Sequence, residues 1–159
     1  MPRLISDLSK AIGIGPRGWA DLARAVLELA LANRRMAMHT MRELLGPAQD
    51  GDRDGAGQAL SEHHIRLIAR VAHAVPIMGL RVPWRSDCLV QALAARRWLA
   101  SEGIASDLCI GVRVPGEADF AAHAWLKVGD TVVTGGDIAG YEPLLAPEDA
   151  LPASLAGMR

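Results

Sequence analysis

The hydrophobic period of this chain changes once, at Gly103, and that change limits the folds open to it. Before Gly103, apolar residues recur at helical spacing; after it they alternate. Residues 108–114 place Leu108, Ile110, Val112 and Val114 on one side and Cys109, Gly111 and Arg113 on the other, as a half-buried strand requires. Residues 121–128 read as a second strand. Gly129-Asp130 is a two-residue hairpin signal, and 131–134 return as a third strand that Gly135-Gly136 breaks. The tail, 141–159, holds three prolines and reads as irregular, with at most one helical turn. Helices followed by an antiparallel sheet define the α+β class.

Three helices are expected. The first, 19–45, carries Asp21, Arg24, Glu28 and Arg35 on one polar stripe, while Leu22, Ala23, Val26, Leu27, Leu29, Ala30 and Leu31 cover most of the remaining circumference. Gly46-Pro47 ends it. The second, 60–75, has Ile65, Ile68, Ala69, Ala72 and Val75 on one face, with Pro76 closing it or turning the chain away. In the third, 87–101, Ser86 is the expected N-cap, Asp87 adds charge to the first turn, and Gly103 takes the C′ place. Arg96-Arg97 reads as a solvated helix face. Met36, Met38 and Met41 could dock a partner or pack on the second helix.

At 159 residues the chain is one domain, 1–159: a helical part over 1–47, a flexible glycine-rich loop over 48–59, and a core over 60–159. Half of the residues are hydrophobic, enough for a packed core. A net charge of −1 argues against a nucleic-acid partner. The charge is uneven, +3 over 1–48, +2 over 49–100 and −6 over 101–159. That asymmetry fits internal complementarity, or a face that takes a basic peptide. Two cysteines exclude a disulfide scaffold. The most apolar stretch, 25–32, is short and contains Glu28, so stable membrane insertion is not expected. Without a secretory signal at the N-terminus, the expected location is cytoplasmic.

Chemistry concentrates in three residues. Cys88 lies in the first turn of the third helix, where free N–H groups and the positive end of the dipole favour an anion; a thiolate is that anion. His123 lies on a strand, with Trp125 on the same side and small residues beside it. Asp137 follows the next strand. Nucleophile, base and a carboxylate that fixes the base are what thiol catalysis needs. His63, His64 and His73 lack ligand spacing, so no metal site is expected. Cys109 reads as a small buried hydrophobe. Trp84, Phe120, Trp125 and Tyr141 could line a substrate groove; Phe120 and Tyr141 flank the candidate site, and core packing is the other reading of Trp84.

The segments CLVQALAARRWLASEGI (88–104), LCIGVRV (108–114), AHAWLKVGDTVVTGGD (122–137) and YEPLL (141–145) together resemble the transglutaminase-like cysteine proteases that remove leader peptides in lasso-peptide biosynthesis. The resemblance implies a transglutaminase/papain-like core, a Cys-bearing helix packed on an antiparallel sheet. It implies Cys88 as nucleophile, His123 as general base and Asp137 as the orienting carboxylate, with no cofactor. The thiolate would attack the scissile carbonyl at the leader–core junction, backbone N–H groups near Cys88 would hold the oxyanion, and water would hydrolyse the thioester. Residues 1–80 show no strands, so the small winged-helix leader-recognition domain of some members is not expected here. The implied partners are the precursor leader peptide, a separate leader-recognition protein and an ATP-dependent macrocyclase. The alternative is a non-catalytic protein that binds precursor or scaffolds the same assembly.

Overall fold

The computed structural model describes residues 15–40, 60–113 and 121–145. Seven elements follow in order. They are α1 (Pro16–Met38), α2 (Glu62–Gly79), α3 (Cys88–Ser101), β1 (Asp107–Arg113), β2 (Ala121–Val128), β3 (Thr131–Thr134) and β4 (Glu142–Leu145). The four strands form one antiparallel sheet in the order β3-β2-β1-β4. The α+β expectation holds. The loop at 48–59, residues 41–45 of the expected first helix, Met41 and Phe120 lie outside the described residues, as does the tail beyond 145.

The helix α3 is the centre of the molecule. It buries Leu89, Val90, Ala92, Ala94, Ala95, Trp98 and Leu99, and its alanines let α1, α2 and β2 approach closely. Leu29 of α1, Val71 and Val75 of α2, and Leu126 and Val128 of β2 complete the same core. Removing a side chain as enclosed as Leu99 typically costs about 2–5 kcal/mol. The helix ends as its sequence requires. Gly103 takes a φ of +72°, Gly103 N–H donates to Ala100 O and Ile104 N–H to Leu99 O, both at 3.0 Å, the paired bonds of a Schellman motif.

The helix faces differ from those expected. In α2 the buried stripe is Leu67, Ile68, Val71, Ala74 and Val75, while Ile65 is 55% exposed. Two overlapping stripes satisfy helical spacing there, and packing against α1 and α3 selects the one with larger side chains. Pro76 lies inside α2, which continues to Gly79; a proline N-terminal to the last turn removes one hydrogen bond without stopping the helix. Ser61 caps α2, its hydroxyl accepting from His64 N–H at 3.2 Å.

The polar stripe of α1 turns inward. Glu28 is 5% exposed and accepts from Arg97 Nε at 2.8 Å. Asp21 accepts from both Nε (2.8 Å) and Nη2 of Arg70. Arg24 bonds Glu102 (2.7 Å) and Ser101 (2.6 Å) and lies over the Trp98 ring. Arg97 is exposed, as expected, and is also a cross-helix partner of Glu28. Leu27, by contrast, is 57% exposed. The helix stops at Met38, where extended His39 precedes the poor helix former Thr40. Met36 packs against the core and Met38 is exposed.

The three expected strands form and a fourth joins them, but the buried side of β1 is the opposite of the expected Leu108, Ile110 and Val112 set. Gly111 faces His123 and Cys109 faces Trp125 across β1 and β2. Cys109 and Gly111 are the buried members of β1, and Leu108, Ile110 and Val112 are only half-buried. The reason is Trp125, whose ring occupies the space above Gly111: a Cβ there would lie 2.7 Å from Trp125 Cη2. The strand β4, expected as irregular chain, pairs antiparallel with β1 at the sheet edge. Pro143 hides it in the sequence and confines it to an edge in the fold.

Candidate active site

Cys88 is the first residue of α3. The N-cap is Asp87 and not Ser86: Asp87 Oδ1 accepts from Val90 N–H at 3.1 Å, and Asp87 O accepts from Gln91 N–H. The N–H groups of Cys88 and Leu89 have no preceding turn to bond to, so they remain available to an oxygen at this helix end. Gln91, one turn on, donates its side-chain amide to Ser86 O at 3.0 Å and staples the approach to the helix. Neither cysteine is in a disulfide; Cys88 is half-buried and Cys109 is buried.

Cys88 and His123 line one cavity of about 430 Å³. Ala72 and Pro76 of α2 and Gln91 of α3 form one wall, and 132–136 form the other. Two elements far apart in sequence thus bring the thiol and the imidazole to a common space. His123 Nε2 lies 2.7 Å from Gly135 O. The Tyr141 ring lies over the imidazole, centroids 5.0 Å apart, and Trp125 stacks at 6.2 Å. Arg113 covers Tyr141 at 5.0 Å.

Asp137 is not among the residues that line this cavity. It is exposed, and its Oδ1 accepts from Ala139 N–H at 2.9 Å. The imidazole partner is the Gly135 carbonyl, two residues earlier. Of the expected groove residues, Tyr141 and Trp125 meet His123. Trp84 is half-buried against the helical core. Gln91 does not stand out in the sequence, although its i+3 spacing from Cys88 places it on the same helix side.

Residues 23–146 match the family model of the transglutaminase-like superfamily. The chain belongs to that superfamily. Over 75 residues it is 33% identical to the microcin J25-processing protein McjB of Escherichia coli, covering 47% of this chain and 34% of that protein. The chain therefore spans about a third of that relative's length. No solved structure matches. Among the described residues, no helix is long and apolar enough to cross a membrane, and no group of three His, Cys, Asp or Glu side chains could hold a metal ion.

Proposed function

We propose that the chain is a cysteine peptidase that removes the leader from a ribosomally made lasso-peptide precursor. The observation that carries this reading is the shared cavity of Cys88, at a helix N-terminus, and His123, on the adjoining sheet. Superfamily membership and the likeness to a microcin-processing protein support it.

The Cys88 thiolate attacks the carbonyl carbon of the leader's last residue. The N–H groups of Cys88 and Leu89 are placed to receive the oxyanion, and one such donor is typically worth about 3 kcal/mol. The C–N bond breaks as protonated His123 gives its proton to the leaving amine, which becomes the core N-terminus. Neutral His123 then takes a proton from water, hydroxide attacks the thioester, and the C–S bond breaks. The leader leaves with a free carboxylate and the thiolate is restored. These steps use no metal or organic cofactor. A leader-recognition protein delivers the precursor, and an ATP-dependent macrocyclase consumes the new amine.

The test is cleavage of a lasso-peptide precursor, with a leader-recognition protein present. Cys88→Ala should lose at least about 10³-fold in rate while still binding precursor, because the other thiol, Cys109, is buried and does not line the cavity. Unchanged cleavage by that variant would overturn the assignment. Precursor binding without cleavage by the parent chain would favour the scaffold reading.

A further inference from the structure

We propose that the peptide carbonyl of Gly135, and not the carboxylate of Asp137, orients His123, so that the chain works with a Cys88–His123 pair held by backbone. The inference rests on the reading of His123 as the base and names the group that positions it.

A carbonyl oxygen can only accept. At 2.7 Å it requires a proton on His123 Nε2. In the neutral ring the lone pair then lies on Nδ1, which is left to take a thiol proton. On protonation Nε2–H stays on Gly135 O, and the added proton sits on Nδ1, from which the leaving amine receives it.

The carbonyl is fixed in place by features that only glycine allows. Gly135 has a φ of +107°, and a Cβ there would lie 2.4 Å from Trp125 Cβ and 3.0 Å from Trp125 Cα. The chain leaves β3 pressed against β2, which carries the imidazole, and the absent side chain is what permits that approach. Tyr141 over the ring limits its rotation. The Asp137 carboxylate is engaged within its own turn, where it accepts from Ala139 N–H two residues on and shapes the path that leads to Tyr141. Gly135 is thus a positioning residue that acts through its backbone.

Two measurements on the full chain test this. Long-range 15N–1H correlation spectra of the His123 ring, recorded at a pH where it is neutral, should show the Nε2–H tautomer in the parent and in Asp137→Asn. The pH profile of Cys88 alkylation by iodoacetamide should keep its shape in Asp137→Asn, with the rate within about threefold, as for an exposed turn residue. An Nδ1–H tautomer would overturn the proposal. So would a displaced pH profile, or a fall in the alkylation rate well beyond about threefold. Neither readout needs a substrate, so each stands if the peptidase reading itself fails. That failure would show instead as a Cys88→Ala variant that still cleaves.

Discussion

Asp87 caps the helix that Cys88 begins, with Oδ1 3.1 Å from Val90 N. The cap fixes where α3 starts and therefore where the thiol sits relative to the free N–H groups. Asp87→Ala should lower stability by about 1 kcal/mol, within the roughly 0.5–2 kcal/mol range for lost caps. Asp87→Asn or Asp87→Ser should recover most of it in urea titrations. Equal loss in all three would mean that the Arg85 ion pair at 3.2 Å, and not the cap, is what matters.

Glu28 tests the inward turn of the α1 polar stripe. Among the described residues, Arg97→Ala leaves a carboxylate that is 5% exposed with Arg24 Nε, 3.8 Å away, as its remaining cation. A cost of about 1–3 kcal/mol is expected, because Arg97 itself is partly exposed and the pair is not fully desolvated. The double variant Glu28→Leu/Arg97→Met should be more stable than Arg97→Ala alone. A change within about 0.5 kcal/mol for Arg97→Ala would return Arg97 to a solvated face.

The hydrogen bond from Arg70 to Asp21 raises the guanidinium above its ordinary range. A cation whose folded-state pKa is raised contributes fully below its unfolded value and loses that contribution only as pH rises through the folded one. The window lies in strong alkali, so the stability lost in Arg70→Leu should be the same at pH 6 and pH 9. A penalty that fades between those values would contradict the pairing.

The two glycines after β3 should respond differently. Gly136 has a φ of +63° and open space around it, so Gly136→Ala should cost about 1–2 kcal/mol of stability through left-handed strain and, although Gly136 lines the cavity, slow cleavage much less than Gly135→Ala does. Gly135→Ala would push the β3 exit off Trp125 and move the carbonyl from His123. Cleavage should fall about 10²-fold, as for a misplacement of about 1 Å. Similar kinetics for the two variants would contradict a role for the Gly135 carbonyl.

Tyr141 and His123 form an aromatic pair, a contact worth about 0.5–1.5 kcal/mol. Tyr141→Leu should slow cleavage by up to about tenfold by loosening the ring, while Tyr141→Phe should not. Loss of activity in Tyr141→Phe would mean that the hydroxyl itself contacts substrate.

Much of this architecture is legible from residue order. The change of period at Gly103, the hairpin at Gly129-Asp130 and the Gly103 C′ position each depend on local chemistry, and each reappears in the fold. The faces of α1 and α2 do not follow from local pattern. Glu28 and Asp21 are buried only because Arg97 and Arg70 arrive from other helices. Strand β4 is hidden by Pro143, since an edge strand needs few N–H donors and shows little alternation.

At the site, Cys88 and His123 are legible because the proposed nucleophile and base are side chains. The Gly135 acceptor is not, because any residue has a carbonyl. Only the double glycine signals an unusual backbone there, and the tertiary approach of β3 to Trp125 gives it meaning. Asp137, the carboxylate that the resemblance implies, accepts from Ala139 N–H.

The most direct test of the account is the rate of Cys88 alkylation by iodoacetamide, resolved from Cys109 by mass spectrometry, in the parent chain and in His123→Ala. If Cys88 is the nucleophile and His123 its base, Cys88 is modified well before Cys109 in mildly acidic solution, and His123→Ala slows that reaction. Equal rates at Cys88 in the two chains would contradict the pairing of thiol and imidazole on which the proposed function stands.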